Sequence, residues 1–133
     1  MAVIANTEIG NININNYAIE KIVIGNILKK KNIITPTNKR GKVIAVKGIR
    51  IKPSDYVSAV EIIEYEDKLF IKMYFVIEFG ASINKETNKI FDMIEKDFEA
   101  IGIQKPTQIT AKITGVKSKQ IAKRELEVVR RNE

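Results

Sequence analysis

Apolar residues recur along this chain in two rhythms, every second position and every third to fourth. Each change of rhythm marks a predicted element. In Glu8–Ile14, Ile12 and Ile14 alternate with Asn11 and Asn13, which predicts a short strand with one buried face. Ile19, Ile22, Val23 and Ile27 then follow helical spacing, with Asn15 or Asn16 placed to cap the helix and Lys29–Lys31 at its C-terminal end. From Asn32 to Tyr56 the rhythm is lost. TPTNKRGK reads as a loop, and VIAVKGIRIKP as a strand bent at Gly48 and ended by Pro53.

The two-residue rhythm returns in Val57–Tyr65 and Leu69–Phe79, joined by the short polar EDK, which predicts a hairpin. One face of the second strand carries Ile71, Met73, Phe75, Ile77 and Phe79, all apolar, and reads as core. The other carries Phe70, Lys72, Tyr74, Val76 and Glu78, a mixed set. Gly80 breaks the strand, and Ser82 or Asn84 caps a helix with an apolar stripe of Ile90, Phe91, Ile94, Phe98 and Ile101, stopped near Gly102. QITAKITGV is a further strand with Ile109, Ala111 and Ile113 on one face.

The predicted order is β-α-(loop or β)-β-β-α-β. It describes a single α+β domain over residues 1–116, with two helices on one face of a mostly antiparallel sheet and residues 32–56 either loop or extra strand. Residues 117–133 read as a charged basic tail, open to a helix, with apolar positions too sparse for a solid stripe.

Composition narrows the chemistry. The 133 residues suit one domain, large enough to bury a core without metal or disulfide. There is no histidine and no cysteine, which removes the commonest general base, the commonest transition-metal ligand and all thiol chemistry. No Gly-x-x-Gly loop exists, and Arg40–Val43 lacks the leading glycine and the Ser/Thr of a phosphate loop. KMYFVIEF departs from the RRM pattern, because Met73 stands where glycine belongs and Phe75 falls on the core face. The serines have no histidine to activate them, and the carboxylates Glu61, Glu64, Glu66 and Asp67 match no EF-hand. No catalytic residue, cofactor site or metal site is expected.

Lys+Arg number 23 and Asp+Glu 16, a net charge of +7. The excess gathers in a loop (Lys39, Arg40, Lys42, Lys47, Arg50, Lys52) and in the tail (Lys117, Lys119, Lys123, Arg124, Arg130, Arg131). Both segments suit anionic lipid or nucleic acid. The opening MAVIANTEIG lacks the pattern of a secretory signal, and no apolar run approaches the roughly 18 residues of a membrane span, so a cytoplasmic location is expected.

Three segments resemble the alkaline shock protein family of Gram-positive bacteria, also called the envelope stress response family. GNININNYAIEKI resembles the family's Gly-x-Ile-x-Ile-Ser and helix, with Asn15 in place of serine. KLFIKMYFVIEFGASI resembles its strand running into Val-Glu-Tyr-Gly-x-Ser-Ile, and QITAKITGV its closing strand. The Ala-Ala-x-Glu-x-x-Gly-Val segment of the family's first helix is replaced here by VIGNILKKKNI. The resemblance implies a non-enzymatic cytoplasmic protein tied to cell-envelope homeostasis. It also implies homo-oligomers and recruitment to the inner face of the membrane by a membrane-anchored partner. Phe70, Tyr74 and Val76 are then expected to form a self-association patch. The alternative is a small basic module that binds RNA or DNA.

Overall fold

The computed structural model describes residues 2–7, 10–44 and 53–132. The architecture is α+β, with two helices against one face of a mixed, mostly antiparallel sheet. Strands Ala2–Thr7 (β1) and Gly10–Asn15 (β2) pair antiparallel as a separate two-stranded ribbon. Helix Asn16–Leu28 (α1) follows directly.

The main sheet is built around Lys68–Glu78 (β5). Two short strands share one of its edges. Val60–Tyr65 (β4) pairs antiparallel with the first half of β5, and Ile34–Pro36 (β3) with the second. Pro36 is tolerated because β3 lies on the rim, where a missing N–H breaks no interior ladder. On the other edge, Gln108–Lys117 (β6) runs parallel to β5. A parallel pair cannot be closed by a tight turn, and helix Ile83–Ala100 (α2) makes the crossover. Ile121–Arg131 (β7) folds back antiparallel on β6 and completes the sheet.

The β4–β5 hairpin turns on Glu66 and Asp67, whose φ values of 48° and 62° suit a two-residue turn that follows the sheet twist. Ser82 caps α2 by accepting a hydrogen bond from the Lys85 N–H at 3.3 Å, and Gly102, at φ 79°, stands just beyond the helix end. The core joins Ile71, Met73, Phe75 and Ile77 of β5 to Ile109, Ala111 and Ile113 of β6. Ile19, Val23 and Ile27 of α1 and Ile90, Phe91, Ile94 and Phe98 of α2 close it from one side.

Several expectations change. The C-terminal stretch, expected as a basic tail open to a helix, is a strand. Its residues 121–127 are exposed on an edge, so they carry no alternating apolar signature. Phe79 is 77% exposed, because the strand ends at Glu78 and alternation no longer applies. Ile101 is also exposed, since α2 has ended at Ala100. Val57–Ala59 belong to a 3-10 helix, Pro53–Ala59, rather than to the start of β4. The expected strand over residues 43–53 lies largely outside the described residues. Its beginning makes an isolated bridge, Val43 with Thr37.

Candidate functional site

The face of the sheet turned away from the helices carries a cavity of about 570 Å³. Four segments contribute to it. Lys39 and Arg40 come from the turn after β3, Lys72 and Tyr74 from β5, and Lys112, Ile113 and Thr114 from β6. Lys123, Arg124, Glu125 and Leu126 come from β7. Six lining side chains are cationic and one is a carboxylate.

The cavity owes its shape to an irregularity in the ladder. Register shifts occur between Phe75 and Val76 on β5 and between Ile113 and Gly115 on β6, so Thr114 is left without a cross-strand partner. Such a bulge bends the strand and re-aims a side chain. The Thr114 hydroxyl lies 2.9 Å from the Thr37 hydroxyl and 3.2 Å from the Phe75 carbonyl oxygen. Opposite the bulge, β7 passes from Lys123 to Leu126 with two residues out of register, Arg124 and Glu125, and both line the cavity.

The turn that carries Lys39 and Arg40 is held from within and from below. The Asn38 side-chain oxygen accepts the N–H of Arg40 at 2.9 Å and of Lys42 at 3.0 Å. Gly41, at φ 89°, is in a conformation that favours glycine, and its backbone comes so close to Thr114 that an added Cβ would lie 3.3 Å from the threonine Cβ. The two cations are therefore aimed by a docked turn.

Lys112 is paired with Glu127 at 2.6 Å, and this hydrogen bond is the main reason the Glu127 carboxyl is held below the usual carboxylate range. Among the described residues, Lys39, Arg40, Lys72, Lys123 and Arg124 have no carboxylate within ion-pair distance. Like charges gathered this way repel one another, and an anion in the cavity relieves that repulsion. At the floor, the Tyr74 hydroxyl donates to Glu61 at 3.0 Å. Burial and that carboxylate push the phenol up to about 12.

The expected basic residues divide into five groups. Lys39, Arg40, Lys123 and Arg124 converge on the cavity. Lys42, Lys117 and Lys119 are exposed outside its lining. Arg131 shares the same sheet face at the opposite end, where it donates to Gln108 at 3.3 Å. Arg130 points the other way, toward α2, where it meets Asp92 at 2.6 Å, Glu95 at 3.0 Å and Asn88 at 2.7 Å. Lys47, Arg50 and Lys52 lie outside the described residues. Lys72 and Lys112 were not singled out from the sequence, although both sit at alternate, non-core positions of predicted strands.

The expected self-association patch is altered in the same region. Phe70 is partly buried, but Tyr74 is 4% and Val76 1% exposed within the single chain. Ile121 reaches over Gly115 toward Val76, and a Cβ at Gly115 would lie 2.7 Å from Ile121 Cγ2 and 3.1 Å from Val76 Cγ1. The returning strand thus covers what the sequence left open. Among the described residues, no group of three or more acidic, histidine or cysteine side chains is placed to hold a metal ion. None of the described helices is long and apolar enough to cross a membrane.

Fold and site together define a small α+β domain with a cationic cavity on its open sheet face. No protein-family model, curated protein or solved structure matches the chain.

Proposed function

We propose that this domain is a non-enzymatic binding module whose cavity receives the phosphates of a nucleic acid. The observation that carries the reading is the convergence of five cations with no carboxylate within ion-pair distance, drawn from β5, β7 and the docked 39–40 turn, on one concave surface. A lone charged tail would be expected to attract any anion loosely. Cations fixed on a sheet and on a buttressed turn instead suit a repeating array of phosphates. The absence of histidine and cysteine from the sequence agrees with binding rather than chemistry.

The envelope-scaffold reading keeps its resemblance, but its interface must lie elsewhere than at Tyr74 and Val76, which this chain buries itself.

The test is fluorescence anisotropy of a labelled oligonucleotide across a salt series. If each of the five cations meets one phosphate, log K should fall against log salt with a slope of roughly −3.5 to −4.5. Lys39→Glu with Lys123→Glu should abolish binding. Affinity that is flat with salt, or unmoved by that double reversal, would reject the proposal.

A further inference from the structure

The same sheet face carries a second feature at its other end. Cross-strand register sets the outward side chains in transverse rows. Ile63 of β4, Phe70 of β5, Gln108 of β6 and Arg131 of β7 form one row. Glu61, Lys72, Thr110 and Val129 form the next, and Tyr74 and Lys112 lie beyond it at the cavity. Tyr65 stands opposite Lys68 and is therefore the diagonal neighbour of Phe70. Tyr65 is 63% exposed and Ile63 52%. Two aromatic rings and an isoleucine thus occupy one end of a face whose other end is cationic. Four strand residues, about 13 Å, separate Phe70 from Tyr74.

We infer that the ligand of this face is a single-stranded nucleic acid, with its backbone in the cationic cavity and a base stacked on the Tyr65–Phe70 platform. The inference rests on the cavity being a phosphate site and adds the part that reads the bases. Aromatic rings on an open sheet accept unpaired bases of any sequence through their π-faces, whereas a duplex keeps its bases inside. Gln108, beside Phe70, accepts from Arg131 and donates to Thr110 at 3.3 Å each, so a base edge there meets an amide whose two ends are already engaged. Charge decides the occupant. A second copy of this +7 chain would bring its own excess of cations against Lys72 and Arg131, while a polyanion complements the cationic cavity end of the face, with Glu61 and the Glu66–Asp67 turn confining the phosphates to that end.

The experiment compares three probes, a single-stranded oligonucleotide, a duplex of the same sequence and inorganic polyphosphate, on the wild-type chain and on Tyr65→Leu and Phe70→Leu. Tyr65 is exposed, so its replacement leaves the fold intact even if Phe70→Leu weakens it. Single strand should bind most tightly. Each variant should lose about five- to a hundredfold in single-strand affinity and keep its polyphosphate affinity. With no tryptophan and four tyrosines in the sequence, tyrosine fluorescence should be quenched by the single strand, less so in Tyr65→Leu.

Equal binding of single strand and polyphosphate, with both variants neutral, would overturn the platform and leave the phosphate site standing. Failure to bind any of the three would reject the phosphate site itself. A dimer in light scattering that Tyr65→Leu dissociates would assign the platform to a second copy and overturn the inference.

Discussion

The hydroxyls of Thr37 and Thr114 lie 2.9 Å apart although 77 residues separate them in the chain. Thr37 is fully buried and its hydroxyl also donates toward the Asn38 carbonyl oxygen at 3.0 Å. This pair fastens the Lys39–Arg40 turn to the bulge of β6, so it links the geometry of a sheet defect to the placement of two cations.

Thr114→Val keeps the volume and removes the hydroxyl. Thr37 keeps its bond to the Asn38 carbonyl oxygen, so the cost is that of an ordinary hydrogen bond, about 0.5–1.5 kcal/mol. Urea denaturation should show a loss in that range. Oligonucleotide affinity should fall as well, although no charge has changed, because the turn is no longer held. Unaltered affinity in a destabilised variant would show that the turn is aimed by other contacts.

Two glycines should respond in opposite directions. A Cβ at Gly25, inside α1, meets nothing within 4 Å, so Gly25→Ala should stabilise the protein by roughly 0.5–1 kcal/mol through helix propensity. A Cβ at Gly115 would lie 2.7 Å from Ile121 Cγ2 and 3.1 Å from the Ala122 carbonyl oxygen. Gly115→Ala should destabilise by about 1–3 kcal/mol, and Ile121→Ala in the same chain should recover part of the loss. Thermal melts of the three variants check this.

Arg130 should matter to stability and not to binding. It crosses from β7 to α2, bonds Asp92, Glu95 and Asn88, and lies over the Phe91 ring at 5.3 Å. Arg130→Met retains much of the packing and loses these bonds. A cost of about 2 kcal/mol is expected, shrinking at high salt. Because Arg130 faces the helices, oligonucleotide affinity should change less than twofold. A loss comparable to that of Lys123→Glu would place the binding surface on the wrong face.

Tyr74 gives the protein a pH signature. Its phenol is pushed up to about 12, first by burial and then by the hydrogen bond to Glu61, against an ordinary value of 10. The folded chain therefore holds this proton more tightly than the unfolded chain does. Stability from this group is intact below pH 10 and is lost as the pH rises through about 12, on the order of 2 kcal/mol in all. Ultraviolet titration should show one tyrosinate forming near pH 12, absent from Tyr74→Phe, whose stability should fall less steeply over that window.

Local pattern alone determined the α+β class and the core face. Ile71, Met73, Phe75 and Ile77 alternate, and Ile90, Phe91, Ile94 and Phe98 follow helical spacing, because burial against a layer forces those periods on any sequence that packs there. The Ser82 cap and the Glu66–Asp67 turn are likewise local and were legible.

The site is different. Lys72 and Lys112 are unremarkable wet-face lysines until β5 and β6 pair in parallel and stand side by side. Lys123 and Arg124 belong to a strand that shows no strand pattern, because an exposed edge needs no apolar alternation and is held by its ladder to β6. The cavity itself comes from a one-residue slip at Thr114, which depends on which strand lies opposite. Periodicity records whether a residue is buried. It does not record its neighbours across a sheet, and in this protein the neighbours bring cations 39, 40, 72, 112, 123 and 124 together.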